Sequence, residues 1–255
     1  MDTRADGGGA GRAILAATAF LTRLPLDRGG IVGPVDIARG VVVFPVVGAV
    51  VGASAAAVAW GSGLAFPAGV AAVGAVAIEL IVTGGLHVDG LADTFDGYGG
   101  GSRQRALEIM RDHTIGAYGA AAIAVDLLWK TFVIAALVER PGGLWMLIAA
   151  GAVSRATAGV LGTVVPYARS SGGTGGVLGE HGRPAWAVSA AVLGVMIAWA
   201  SGGLRGLIGT VAAATAAGVW GWRCQRRLGG MTGDTLGAAV EMTEVIVLLV
   251  GLAYR

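Results

Sequence analysis

Three aspartates, Asp89, Asp93 and Asp96, carry the strongest chemical signal in the chain. On a helix of 3.6 residues per turn they fall within about 60° of one face. Carboxylates so placed repel one another unless a cation lies between them. They also directly follow an apolar run, where bare charge is expensive. Oxygen donors suit Mg²⁺ or Mn²⁺, and Mg²⁺ commonly joins one or two carboxylates to substrate phosphates. The plainer alternative is a solvated acidic face. Gly85, Gly90 and Gly97 around the cluster favour close approach of a ligand. His87 stands beside the aspartates as a general base, a phosphate contact, a metal ligand or a structural histidine. The residues alone leave these open.

Two further segments surround this group with charge. In the first, Arg103, Arg105 and Arg111 run beside the i,i+4 acidic pair Glu108 and Asp112. The planar guanidinium matches phosphate oxygens. Ordinary helix salt bridges explain Arg103 and Arg105 equally well, whereas Arg111 and Asp112 are better placed for function. In the second, Asp234 or Thr235 can cap a helix that continues to Glu241 and Glu244. Acids one to two turns into an apolar span face a cavity or a partner. Glu79 and Arg155 also lie deep in apolar runs. Asp126 and Lys130, spaced i,i+4, are expected to neutralise each other.

The elements that must hold these groups are membrane helices. The chain is 55% hydrophobic and 13% charged, against roughly 25% charged in soluble domains. Its net charge of +2 argues against nucleic acid as a partner. Cys224 is the single cysteine, which excludes an internal disulfide and suits a small buried hydrophobe. A bilayer crossing needs about 20 apolar residues. Candidate spans are 41–66, 67–86, 115–137, 144–165, 186–200, 204–222 and 236–254. The expected fold is all-α: a polytopic transmembrane bundle of about seven spans, one domain over 1–255, with an interfacial N-terminal helix. Its 46 glycines suit close helix packing, either within one chain or against a second copy in a homo-oligomer. Most of the 18 Lys and Arg residues, Arg4 and Arg28 among them, fall with the N-terminus and the loops 87–114, 166–185 and 223–235. Arg140, Arg205 and Arg255 fall on the other side. That bias makes the motif-bearing side cytoplasmic.

The run from Gly84 to Gly97, with its Gly85-Leu86-His87-Val88-Asp89-Gly90-Leu91-Ala92-Asp93-Thr94-Phe95-Asp96 core, resembles the signature of the cobalamin synthase family. Phe20-Leu21-Thr22-Arg23-Leu24-Pro25 is similar to that family's N-terminal block, and residues 107–112 and 115–119 to its second. Ser154-Arg155, Pro166-Tyr167-Ala168-Arg169 and residues 230–238 resemble later blocks. The likeness runs in order along nearly the whole chain. Departures occur at Val88, where an acidic residue is expected, and at His113-Thr114, where a Ser-Arg pair is expected.

The resemblance implies a Mg²⁺-dependent transferase of the bacterial inner membrane. It would join α-ribazole, or its 5′-phosphate, to adenosylcobinamide-GDP with release of GMP, completing the nucleotide loop of cobalamin. On that reading Asp89, Asp93 and Asp96 hold the metal, and His87, Arg111 and Asp112 are catalytic. Arg103, Arg155, Arg169, Thr232 and Asp234 contact substrate. Two rivals share some of these features. A phosphotransferase for CDP-alcohols also sets aspartates at a helix end, but its Asp-Gly, Ala-Arg and paired-Asp spacing is absent. A divalent-cation transporter would carry acids through the bilayer depth.

Overall fold

The computed structural model describes residues 7–26, 30–112, 114–169 and 175–254. Arg4, Arg28, His113 and Arg255, used in the reading above, lie outside the described residues. The fold is helical: α1 (Gly7–Leu21), α2 (Pro34–Gly40), a 3-10 turn (Val41–Val43), α3 (Phe44–Gly63), α4 (Ala68–Thr83), α5 (Leu86–Tyr98), α6 (Arg103–Ile109), α7 (Ala117–Val138), α8 (Trp145–Val164), α9 (Gly176–His181), α10 (Pro184–Leu228) and α11 (Gly233–Ala253). Five helical segments are long and apolar enough to cross a membrane, or six if the bent pair α4–α5 counts as one. At 15 residues, α1 is too short to cross and packs on α2 and α3.

The 45 residues of α10 would reach roughly 68 Å if straight, more than twice the hydrocarbon core of roughly 30 Å. The helix instead breaks at Gly203, whose φ of 56° and ψ of −137° only glycine adopts without strain. A side chain on Gly206 would collide with the carbonyl of Ala198, so the two arms fold back on one another. The two arms correspond to the two apolar runs read on either side of residue 203.

Packing of α8 sets the bundle. It is the most buried helix and lies against α3, α10 and α11. Its crossing with α3 is backbone on backbone: a Cβ on Gly48 would strike the Gly151 carbonyl, and one on Gly151 the Gly48 carbonyl. The glycines that suited association with a second copy are thus used, at this crossing, inside one chain. Gly48→Leu is expected to separate α3 from α8 and lower the thermal midpoint in detergent by several degrees, with the loss of several close contacts. An unchanged midpoint would show that the crossing has room.

The α4–α5 corner positions the chemistry. Gly84 and Gly85 both take positive φ, 63° and 68°, and turn the chain through 88°. This ends the apolar run of α4 and turns α5 against α11 and α7. Arg23, just after α1, donates its backbone N–H to the Val82 carbonyl at 2.9 Å, and its side chain packs on Gly84. The Phe20–Pro25 block thereby buttresses the corner.

Candidate active site

Four approaches meet where α5 crosses α11. Gly90 has no side chain, so the α11 N-terminus comes close; a Cβ there would sit 2.8 Å from the Asp234 carbonyl. Thr232 begins α11: its hydroxyl accepts the Thr235 N–H at 3.1 Å, and the Thr235 hydroxyl accepts the Thr232 N–H at 2.7 Å. Thr232 is fully buried and acts as the helix cap. Thr235 completes the capping box, as expected for one of the two candidates, and Asp234 stays outside it. Capping by Thr232 leaves the Asp234 carboxylate for other work. Residues 166–168 pair with Met231 through two backbone hydrogen bonds of 2.8 Å. That bridge delivers Arg169, whose guanidinium donates to Asp234 at 2.8 Å. The buried Nε of Arg169 has no hydrogen-bond partner.

Asp89 is exposed and Asp93 half-buried on α5. Asp93 is pushed up to about 7, first by burial, then by Asp89, Asp234 and Asp96, with Arg169 opposing. Asp96 behaves differently. Its two carboxylate oxygens accept the N–H groups of Gly116 and Gly119 at 2.7 and 2.8 Å, which satisfies the start of α7. Among the described residues, no three His, Cys, Asp or Glu side chains come close enough to hold a metal ion by themselves. Asp96, expected beside Asp89 and Asp93 as a metal ligand, is thus engaged by the start of α7. The spacing placed the three on one face but could not show that α7 engages one of them.

The remaining donors are Asp89 and Asp93, with Asp234 opposite. Mg²⁺ takes one or two carboxylates and keeps its other positions for water and phosphate. Mutually repelling oxygens beside a buried guanidinium Nε fit such a bridging ion. Asp96→Asn is expected to cost about 1 kcal/mol of stability through one lost α7 contact, because the amide can still accept one N–H. Thermal unfolding of the purified variant checks this; loss of turnover as complete as for Asp93→Asn, at full stability, would restore Asp96 to the metal.

His87 is buried in the first turn of α5, and its Nδ1 has no partner among the described residues. Burial, then Arg155, hold the imidazole well below its usual range, so it is neutral at pH 7. With Asp89 and Asp234 it lines a cavity of about 460 Å³ closed by α1, α2, α8 and α9. Residues 20–23 of the Phe20–Pro25 block also line this cavity, a wall position that depends on how α1 packs and is not visible in local spacing. Val88, a departure from the pattern, is buried.

Arg103, Arg111 and Arg169 line a second cleft of about 630 Å³ with Gln104 and Glu108. Arg103 is partly committed: its Nε donates to the Leu228 carbonyl at 2.5 Å and its Nη2 to the Ala168 carbonyl at 3.0 Å. Arg105 bridges Glu108 at 3.4 Å in solvent, the ordinary salt bridge of the plainer reading. Arg111 and Asp112 are exposed after α6, and Asp112 accepts the Thr114 N–H at 3.1 Å.

Arg155, expected to contact substrate, is buried. It points into the bundle and pairs with Glu244, which also accepts from Ser154 at 3.3 Å. Lys130 pairs with Glu241, with Glu244 at 3.2 Å and with Glu79 at 3.8 Å. Among the described residues no ion pair joins Lys130 to Asp126, so the expected i,i+4 neutralisation gives way to three glutamates from α4 and α11. All these groups are buried.

Together, fold and site define a polytopic membrane protein with carboxylates and arginines gathered at one end of its bundle. The chain belongs to the CobS family, cobalamin-5-phosphate synthase, which matches residues 13–252. An adenosylcobinamide-GDP ribazoletransferase of Mesorhizobium japonicum is 42% identical over 91% of this chain and 89% of its own length. Two Escherichia coli proteins of the same name are 37% identical, over 92% of this chain and 96% of theirs. No solved structure matches the chain.

Proposed function

We propose that this chain is an adenosylcobinamide-GDP ribazoletransferase that uses Mg²⁺ and works at the cytoplasmic face of the bacterial inner membrane. The observation that carries the chemistry is the meeting of Asp89, Asp93 and Asp234 with Arg169 at one end of the bundle. A ribose hydroxyl of α-ribazole, or of its 5′-phosphate, forms a bond to the phosphorus attached to cobinamide. The bond from that phosphorus to the GMP phosphate breaks, and GMP carries away the electron pair. Cleavage of a diphosphate needs alignment and charge neutralisation more than covalent help.

Asp93, with Asp89 or Asp234, would hold the metal, which would neutralise phosphate charge. Arg169 has its spare Nε for a phosphate oxygen, and Arg111 stands at the cleft mouth for another. His87 lies in the cavity wall with its buried Nδ1 unpaired, and is the candidate acceptor of the hydroxyl proton. Arg103 and Arg227 bond to Leu228, Ala168 and Gly100 near the site and Arg111 lines its cleft, while Arg140 bonds to Leu252 at the other end of α11 and Arg205 lies near Gly142. That bias supports a cytoplasmic site.

The test is a cell-free reaction of purified protein with adenosylcobinamide-GDP and α-ribazole, with and without Mg²⁺. GMP release that requires both substrates and the metal is expected. Release of CMP from a CDP-alcohol, or metal uptake into vesicles without GMP, would replace this reading with one of its rivals.

A further inference from the structure

The lining of the 460 Å³ cavity is mixed. Phe20, Ile37, Leu86 and Leu236 supply apolar surface beside Thr22 and Arg23, and Phe20 is held by stacking on Phe44 with ring centroids 5.6 Å apart. Asp89, Asp234 and buried His87 also line it. The Arg169–Asp234 pair divides this cavity from the arginine cleft. Its carboxylate lines the first and its guanidinium the second.

Volume and polarity decide what each can take. Small-molecule sites run from roughly 300 to 1,000 Å³. The cavity has room for a nucleoside and none for a corrin ring with its side chains. Guanine carries N–H donors and a carbonyl along one edge and needs polar partners, such as Gln104 and Glu108 in the cleft. The dimethylbenzimidazole of ribazole is flat, has no N–H and offers one acceptor nitrogen. Apolar walls suit it, and they would leave the guanine edge unpaired.

We propose that the cavity between α1–α2 and α11 is the acceptor subsite, seating the ribazole base against Phe20, Ile37 and Leu236 with its ribose toward Asp89 and Asp234. This rests on the transferase reading above. The new O–P bond then forms on the cavity side of the Arg169–Asp234 pair. The bond to GMP breaks on the cleft side, and the hydroxyl proton passes to a base lining the cavity. Phe20, Ile37 and Ala19 become determinants of which base is accepted.

Ala19 lines the cavity half-buried, so Ala19→Leu adds bulk where the base would lie. Steady-state GMP release in nanodiscs should show a KM for α-ribazole raised about 10-fold or more, and a KM for adenosylcobinamide-GDP unchanged within about twofold. The riboside of unsubstituted imidazole should lose less than ribazole does. Ile37→Ala, which enlarges the same wall, should reduce the preference for ribazole over the riboside of a larger tricyclic base, and it carries the test if Ala19→Leu fails to fold. A KM that rises for adenosylcobinamide-GDP, or an unchanged base preference in Ile37→Ala, overturns the subsite. Wild-type protein that releases no GMP from the two substrates sinks the transferase reading itself, which separates the two failures.

Discussion

Asp93→Asn is expected to lower turnover by roughly 100-fold or more while the protein inserts and unfolds normally. Asp93 is raised to about 7 by burial and then by its neighbours, Asp89 along α5 and Asp234 on α11. The amide keeps the shape and removes the charge, so packing is spared. Loss of even a supporting partner of a metal ligand commonly costs 10–100-fold, and a direct donor should cost at least the upper end. The variant should also need more Mg²⁺ for half-maximal rate. GMP release titrated with Mg²⁺ checks both. Wild-type turnover at limiting Mg²⁺ would remove Asp93 from the metal.

Lys130→Met should be the most destabilising substitution in the bundle. The ammonium is buried among Glu79, Glu241 and Glu244, which come from two other helices. Removing it leaves Glu79 and Glu241 without a cation in a low-dielectric interior, with Glu244 still held by Arg155. Breaking a buried pair costs about 3–5 kcal/mol, and more than one acid is stranded here. The expected readout is failure to accumulate in the membrane or a fall of the thermal midpoint by 10° or more, on the order of that energy. Lys130→Arg should be milder, and Glu241→Gln added to Lys130→Met should recover part of the loss. Equal midpoints for Lys130→Met and wild type would mean that the acids are protonated and the cluster stabilises little.

Much of this arrangement was legible in the residues. The apolar runs set the helices, and their lengths placed a break near residue 203. Acids inside spans implied partners, and Glu241 and Glu244 have them in Lys130 and Arg155. What local spacing could not carry was competition between helices. Asp96 shares a face with Asp89 and Asp93, yet the start of α7 engages its oxygens. Asp126 lies one turn from Lys130, yet glutamates on α4 and α11 reach the ammonium instead. Arg155 reads as a phosphate contact by type and as a strut by position. Asp234 joins the carboxylates from far away in sequence because Gly90 lets two helices touch. Each correction is a contact between elements, decided by where helices cross.

The most direct test of the central claim is Mg²⁺-dependent GMP release from adenosylcobinamide-GDP and α-ribazole, compared for wild type, Asp93→Asn and Asp96→Asn at equal folded concentration. The account predicts near-complete loss for Asp93→Asn and turnover within about 10-fold of wild type for Asp96→Asn, whose role is to begin α7. Turnover retained by Asp93→Asn and abolished in a fully folded Asp96→Asn would contradict it.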